Sequence, residues 1–412
     1  MSFELITFSK ICIIIYLVHI DYIIRRFKIK AYNIFLTKGI SQMKIIIKSE
    51  VKTVMSNPES KFNYFGWPSV ARLQNGKIAV VASGYRLGHV CPFGKCVMAL
   101  SEDGGETYTG AFPVIDTYLD DRDGGICTFG ENGVIVSSFN NTRKMQRDNN
   151  LLLPDLEEWM LKRNEFYHSY LDTVSDEEEE KYLGSLFRIS LDGGKTFGEI
   201  HKSPVTSPHG PIELKDGNIL WIGRTFSKDD SFDEKTSRIK VYKINLDGSM
   251  EYLSTIPPIY EDGLFMCSCE PAAIELPDGR IICQIRISNA GYFTLYQTES
   301  NDGGLTWSSP VRILDKRGGA PAHLLLHSSG ILISTYGFRD TPFGIKAMFS
   351  SDLGKTWDTD EYFIYNNGGI SSDLGYPSSI ELPGGDILTI FYAKDNAKAP
   401  ATIKQIIWNF ED

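Results

Sequence analysis

The sequence has almost no long apolar run, few cysteines and no basic stretch after residue 30, and each absence removes a class of protein. Its one strongly apolar segment, ICIIIYLVHIDYII at 11–24, is shorter than the roughly 20 residues that span a bilayer, and His19 and Asp21 interrupt it. Arg25, Arg26, Lys28 and Lys30 follow without a small-residue cleavage site, so export is not supported and the cytoplasm is the expected compartment. Residues 1–42 read as a poor signal anchor, a packed tail, or translated sequence upstream of the true start. The last is favoured, because Met43 opens MKIIIKSEV, which reads as a strand of the folded domain. Seven cysteines spread over 412 residues imply no disulfide framework. Cys91 and Cys96 stand close together, as do Cys267 and Cys269, but no His or Cys lies at zinc spacing and no metal is expected. A net charge of -10 argues against a nucleic-acid partner, and no membrane partner stands out. An anionic substrate would need local arginines working against that field.

What is present is the composition of a folded globular chain, 42% hydrophobic and 23% charged, so disorder is excluded for most of it. Gly and Pro among abundant Tyr and Phe point to strands separated by tight turns. One phrase recurs, an apolar strand, a turn and a second apolar strand. It reads WPSVARLQNGKIAVVAS from Trp67, GICTFGENGVIVSSF from Gly125 and HGPIELKDGNILWIGR from His209. It returns as EPAAIELPDGRIICQIR from Glu270, AHLLLHSSGILISTYGFR from Ala322 and YPSSIELPGGDILTIFY from Tyr376. Each is a β-hairpin by its turn chemistry and alternation. Six copies in succession predict an all-β, six-bladed β-propeller.

A second phrase, Ser-x-Asp-x-Gly-x-Thr-aromatic, follows the hairpin in four units: SEDGGETY (101–108), SLDGGKTF (190–197), SNDGGLTW (300–307) and SSDLGKTW (350–357). Asp bonds its own turn's amides there, Gly supplies a positive φ, and the aromatic ring packs beneath. The last unit is one strand short. MKIIIKSEVKTVM (43–55) is expected to supply it and close the ring, which makes 43–412 one propeller domain. The long gap in the second blade, 142–182, reads as a helical insertion with an apolar face at Leu156, Trp159, Met160 and Arg163. Glu177–Glu180 reads as a solvated helix face, and the insertion as a lid or a partner surface.

The first residues of the innermost strands converge on one mouth, so Trp67, Asp123, His209, Glu270, His323 and Tyr376 are expected there. The hairpin ends add Arg86, Arg143, Arg224, Arg286 and Arg339. Convergent arginines suit an anionic ligand, since a guanidinium fork binds a carboxylate through two parallel bonds.

The second phrase is the Asp-box, and from about Lys44 to Asp412 the chain resembles the sialidase (neuraminidase) superfamily. The resemblance implies structural Asp-boxes on the outer rim, a carbohydrate ligand, and an exo-acting retaining hydrolase of a carboxylated sugar that needs no metal or organic cofactor. It implies Tyr376 as nucleophile, Glu270 as its partner, and Arg286 and Arg339 as carboxylate ligands. The resemblance fails at the first blade, where Gly66-Trp67-Pro68 stands in place of Arg-Ile-Pro and the usual Asp is missing. Asp120, Asp121 or Asp123 is expected to replace that acid, with Asp121 and Asp123 the leading candidates, and Arg86, Arg122 or Arg224 to supply the charge. His209 and His323 read either as satisfied core histidines or as sugar hydrogen-bonders. Trp67 reads as a stacking platform or as a plug. A rhamnosidase, a uronic-acid lyase and a catalytically silent carbohydrate-binding propeller stay open as alternatives.

Overall fold

The computed structural model describes residues 43–226, 238–289, 292–315, 318–319 and 321–411, so the expectations for residues 1–42 fall outside it. One compact unit is Ile45–Asn409, and a second comprises Met1–Lys44 with Phe410–Asp412. In the described part of the second, Lys44 and Glu411 form an exposed ion pair at 3.9 Å. Among the described residues no helix is long and apolar enough to cross a membrane.

The larger unit is a six-bladed propeller. Blade 1 orders its strands Tyr64–Arg72, Ile78–Arg86, Lys95–Ser101 and Phe112–Ile115, all antiparallel. Blade 2 begins with Arg122–Phe129 and Gly133–Phe139, blade 3 centres on Ile219–Thr225, and blade 4 begins with Ser268–Glu275 and Ile281–Asn289. Blade 5 runs from Ala322–Leu326 to Asp358–Asn366. Blade 6 pairs Gly375–Glu381, Ile387–Lys394 and Ala401–Glu411 and takes Lys44–Ile47 and Lys52–Met55 from the other end of the chain. Lys52 pairs with Gln405 and Met55 with Ile403, and the Lys48 and Ser49 amides both donate to the Ile407 carbonyl. The expected closure is therefore present, and it removes the open edge that a sixth blade of three strands would leave.

Middle strands are sandwiched between neighbouring blades, which explains why Leu332–Phe338 is buried at every position and carries little polar alternation. The core is accordingly a ring of separate clusters. Val80 and Ala82 meet Ile390 and Ile403 between blades 1 and 6, and Val81 and Met98 meet Val134 and Val136 between blades 1 and 2. Phe187 packs on Trp221 between blades 2 and 3, and Ile222 and Val241 pack on Ile285 and Ile287 between blades 3 and 4. Leu295 meets Tyr336 between blades 4 and 5, and Tyr365 meets Phe391 between blades 5 and 6.

The Asp-boxes join these layers. In each of the four, the Ser hydroxyl accepts from the amide of the glycine two residues after the Asp, and the Asp accepts from the Thr amide, as Ser101 does from Gly105 (2.8 Å) and Asp103 from Thr107 (2.9 Å). Hydrogen bonds chiefly from their own Thr residues hold Asp103 and Asp192 well below the usual carboxylate range. The turn then docks on the preceding blade. Gln405 donates to the Gly105 carbonyl (2.8 Å), Ser254 to Gly304 (2.5 Å) and Gln297 to Gly354 (2.7 Å). These aspartates are spent structurally and leave nothing for chemistry.

The insertion forms three helices: α1 (Arg143–Asp148), α2 (Glu158–Leu171) and α3 (Asp176–Tyr182). Its buried face differs from the expected one, since Trp159 is 58% exposed whereas Asn164, Tyr167 and Leu171 are buried. Phe93, from the long first-blade loop, packs on this helix, 6.1 Å from the buried Tyr167, 4.5 Å from Tyr170 and 5.0 Å from Phe166. The acidic run is only partly solvated. Glu178 closes a capping box with Ser175, and Glu179 pairs with Arg143 at 2.7 Å. Arg143 also binds Asp176 and the Val174 carbonyl, so it braces the insertion and does not face the mouth.

The Asp-box glycines test the docking. Gly354 has φ +82°, and a Cβ there would meet Ile282 Cδ1 at 2.3 Å, whereas Gly279, at φ +86°, has open space around it. Gly279→Ala should cost the backbone term alone, about 1–2 kcal/mol. Gly354→Ala should cost roughly 1–3 kcal/mol more, read as a lower midpoint of thermal or denaturant unfolding. Equal losses would mean that the docked turn adds no packing.

Candidate active site

The first strand of four blades breaks register at one place. The shifts lie at Gly66/Ser69, Arg122/Gly125, Cys269/Ala272 and Gly375/Ser378. Inside them stand Trp67, Asp123, Glu270 and Tyr376, with φ of 53°, 48°, 49° and 52°, half of the eight described non-glycine residues with positive φ. A left-handed backbone costs an ordinary residue about 1–2 kcal/mol, and a bulge of this kind turns one side chain out of the alternation of its strand. The residue after Trp67, Glu270 and Tyr376 is proline, which has no amide to leave unpaired where the ladder is interrupted. After Asp123 it is Gly124, where a Cβ would sit 2.7 Å from Val81 Cγ1 and 2.9 Å from the Ala82 amide nitrogen. The recurring phrase thus aims a tryptophan, two acids and a tyrosine at one mouth.

Two of those four meet directly, and an arginine joins them. The Tyr376 hydroxyl donates to Glu270 Oε1 at 2.5 Å, and Arg286 pairs with the other Glu270 oxygen and reaches within 3.5 Å of the phenol. Burial holds the phenol well above its ordinary value, Glu270 and Asp123 adding to the effect and Arg286 and Arg339 opposing it. Tyr376 is therefore a neutral hydroxyl with an acceptor already in place. Burial works against charge on Arg286, but Glu270, Cys269 and Tyr376 together more than offset it, and the guanidinium stays firmly charged over the Phe293 ring at 4.5 Å. Asp123 carries a buried oxygen with no hydrogen-bond partner among the described residues, and burial pushes its carboxyl up to about 7, with Arg122 opposing and Glu270 reinforcing.

Beside this group lies a cavity of about 770 Å³ lined by His89, Arg122, Asp123, Arg224, Glu270 and Arg286, with Asn141, Thr142, Lys144, Met145, Asp148 and Asn149 from the insertion. Cys267 and Cys269 also line it, and burial pushes the Cys269 thiol up to about 12. No group of three or more metal-ligating side chains occurs among the described residues.

The remaining expected residues are placed differently. Trp67 is a plug, only 2% exposed, with Arg122 4.1 Å over its ring and Arg86 at 4.9 Å. Arg86 is wholly buried and faces no ligand. It pairs with Asp120 at 2.5 Å and donates to Ser83 and to the His89 carbonyl at 2.7 Å each. Asp121 is equally buried and is used up by the Thr117 amide (2.7 Å) and hydroxyl (2.9 Å) and by Asn140 (3.2 Å). Arg339 donates to the Leu374 carbonyl and the Tyr392 hydroxyl, both at 3.0 Å, and lies 5.7 Å from the Tyr376 ring centre. It steadies the phenol without lining the cavity. His209 and His323 meet edge to face at 5.1 Å, outside the cavity lining. His209 bonds the Ser69 hydroxyl at 3.0 Å and His323 accepts from the Ser379 amide at 3.3 Å, so they fasten blades 3 and 5 to blades 1 and 6.

The sequence reading missed His89 and Asp373. Tyr64 donates to Asp373 at 2.9 Å, with His89 Nδ1 3.4 Å from the same carboxylate oxygen, and His89 reaches the cavity edge. Burial alone would raise Asp373, but His89 and Tyr64 hold it at about 2. The only available signal was the long loop after Arg86, which has no periodicity to read.

No family model matches the sequence, and no curated protein matches it. Solved structures do. A Dyadobacter fermentans protein of unknown function superposes with TM-score 0.67 at 20% identity, over 90% of this chain and 100% of that one. The intramolecular trans-sialidase of Ruminococcus gnavus, solved with oseltamivir carboxylate, gives 0.57 at 14% identity over 88% and 97%. An alpha-L-arabinanase of Penicillium chrysogenum, solved with arabinobiose, gives 0.52 at 13% over 89% and 98%. The fold is thus structurally similar to the sialidase and trans-sialidase propeller, and at these identities the likeness shows the fold alone.

The histidine pair makes a prediction about stability. Burial lowers His323 to about 4, so between pH 4 and its unfolded value near 6.5 the unfolded chain binds the extra proton and folding loses stability as pH falls. His323→Asn keeps an acceptor for the Ser379 amide and cannot titrate. From pH 7 to pH 5 wild type should lose about 2 kcal/mol relative to that variant in denaturant titrations. A difference independent of pH would mean that folding leaves the ring's proton affinity unchanged.

Proposed function

We propose that the chain is an exo-acting, retaining glycoside hydrolase that removes a terminal carboxylated sugar, of the sialic acid type, from a glycan. The observation that carries this reading is the 2.5 Å contact between a buried neutral tyrosine and Glu270, with Arg286 on the same carboxylate. An anomeric carbon that bears a carboxylate repels an approaching carboxylate, so a neutral nucleophile whose proton leaves during attack suits it. In the first step the Tyr376 oxygen bonds to the anomeric carbon and its proton passes to Glu270. Asp123 gives its proton to the glycosidic oxygen as that bond breaks and the alcohol departs. In the second step water gives a proton to Asp123 and its oxygen to the anomeric carbon, while the tyrosyl oxygen recovers its proton from Glu270. Two displacements at one carbon give net retention. Sialidases are a known exception to the two-carboxylate scheme in having a tyrosine nucleophile.

Arg286 at the reacting centre and Arg122 on the cavity wall supply positive charge for the sugar carboxylate. Arg122 stands where Trp67 has displaced the first-blade arginine that the family resemblance would require. Stacked at 4.1 Å on the indole, it donates to the His89 carbonyl at 2.8 Å, pairs with Asp120 at 3.4 Å and borders the cavity.

Release of methylumbelliferone from a sialoside, a rhamnoside and a glucuronide tests the reading, with wild type beside Tyr376→Phe. The sialoside should turn over and the variant should lose on the order of 10³-fold or more in kcat. Turnover of the rhamnoside or glucuronide instead would move the substrate, and an unaffected variant would remove Tyr376 from the chemistry. The pH profile is an independent check. With Asp123 acting protonated and held near 7, kcat/KM should fall as pH rises through about 7, and Asp123→Asn should abolish that limb. A limb that survives the substitution belongs to another group.

A further inference from the structure

We infer that α1 of the insertion, together with the start of blade 3, forms a subsite for the leaving group, and that it takes a neutral, hydroxyl-rich sugar. The inference rests on the hydrolase reading, because the positions of the nucleophile and the acid give the cavity its direction. Glu270 and Arg286 of blade 4 line the cavity and hold the Tyr376 phenol of blade 6, which is itself outside the lining, so the sugar being cleaved lies against blade 4. Asp123 belongs to blade 2, and the departing oxygen must face its proton. Whatever is attached to that oxygen extends over blade 2 and towards blade 3, where the cavity is walled by Asn141, Lys144, Asp148 and Asn149 on one side and Thr206 and Phe226 on the other.

Size, chemistry and rigidity agree with that direction. A drug-sized ligand occupies roughly 300–1,000 Å³, so the cavity's volume of about 770 Å³ has room beyond a single sugar ring. Amide and hydroxyl groups beside the apolar Met145 and Phe226 are what a sugar needs, since it presents hydroxyls at its rim and C–H groups on its faces. Lys144 and Asp148 are paired with each other at 2.5 Å, so the α1 side of the wall offers no net charge to a second anion, and Arg224 on the blade 3 side is already engaged in an interaction of its own. The wall is also held in advance. Thr142 caps α1 by accepting from the Met145 amide at 3.1 Å, Arg143 ties its start to Glu179, and Phe93 anchors α2 to blade 1. A preformed wall spares a ligand the cost of ordering it.

The test uses the full chain and the double substitution Lys144→Ala with Asp148→Ala, which removes an exposed pair of little weight for folding and leaves net charge unchanged. Two substrates of the same carboxylated sugar are compared, one linked to methylumbelliferone and one to lactose. The lactose-linked substrate should lose about tenfold more in kcat/KM than the aryl one, chiefly through KM. Equal losses on both, or no loss on either, overturn the subsite. Saturation-transfer NMR with free lactose adds a readout that needs no turnover. Signal transferred to lactose by wild type and lost in the double variant supports the subsite, and equal signals overturn it. A wild type that cleaves no glycoside overturns the hydrolase reading alone, and the lactose experiment still decides the subsite.

Discussion

Tyr376 can reach Glu270 only because both residues leave the ordinary alternation of their strands. Each occupies a left-handed position inside a register shift, and each is followed by a proline with no amide to strand. A regular strand would direct these side chains into the packing between blades or along the sheet. The bulge brings them to a common axis, at a backbone cost of about 1–2 kcal/mol for each residue. Four such positions around one mouth amount to strain that must be offset elsewhere. The offset lies in the clusters between blades and in the Asp-box turns that hydrogen-bond one blade to the one before it. The rim therefore has an indirect part in the chemistry, since it keeps the inner strands from relaxing to a regular register.

Electrostatics at the mouth follow from the same geometry. The chain as a whole is acidic, yet four arginines, Arg86, Arg122, Arg286 and Arg339, sit on or beneath the first residues of the blades. All four have protein acceptors, and only Arg122 and Arg286 also border the cavity. The division is useful. Arg86, wholly buried against Asp120, fixes the loop that carries His89, and Arg122 can then lie across the indole with its charge turned to the cavity. A tryptophan where the family resemblance would require an arginine is therefore not a simple loss of charge, because the aromatic face supports the guanidinium that comes from the next blade.

The fold was legible because its signals are local. Turn dipeptides, hairpin alternation and the Asp-box phrase each need only a few consecutive residues, and their recurrence supplied the blade count. The Tyr376–Glu270 pair was legible for a related reason, since both residues occupy the same place in the repeat and both precede proline. Legibility ended where distant chain segments meet. Arg86 and Arg286 both stand at the end of a second strand, but a loop folds over the first and not the second. Asp121 and Asp123 are neighbours, and only the left-handed turn at Asp123 separates a structural carboxylate from a cavity-facing one. His89 and Asp373 belong to the first and last blades and come together through closure of the ring. The buried face of α2 differs from its apolar spacing because residues far away in sequence, Phe93 beside Tyr167 among them, pack against it.

The insertion and the first-blade plug converge on one consequence. Asp123 keeps its proton near neutral pH because burial, more than any neighbouring charge, disfavours the carboxylate. That burial is built from unlike pieces: strand Ile78–Arg86 behind Gly124, the Trp67–Arg122 stack beside it, and the wall of α1 across the cavity. Exposing any one of them to water would lower the carboxyl towards its ordinary value and raise the share of the charged form. The insertion thus has two effects that cannot be separated by geometry alone. It walls the cavity beside Asp123, and it contributes to the dielectric in which that carboxyl titrates.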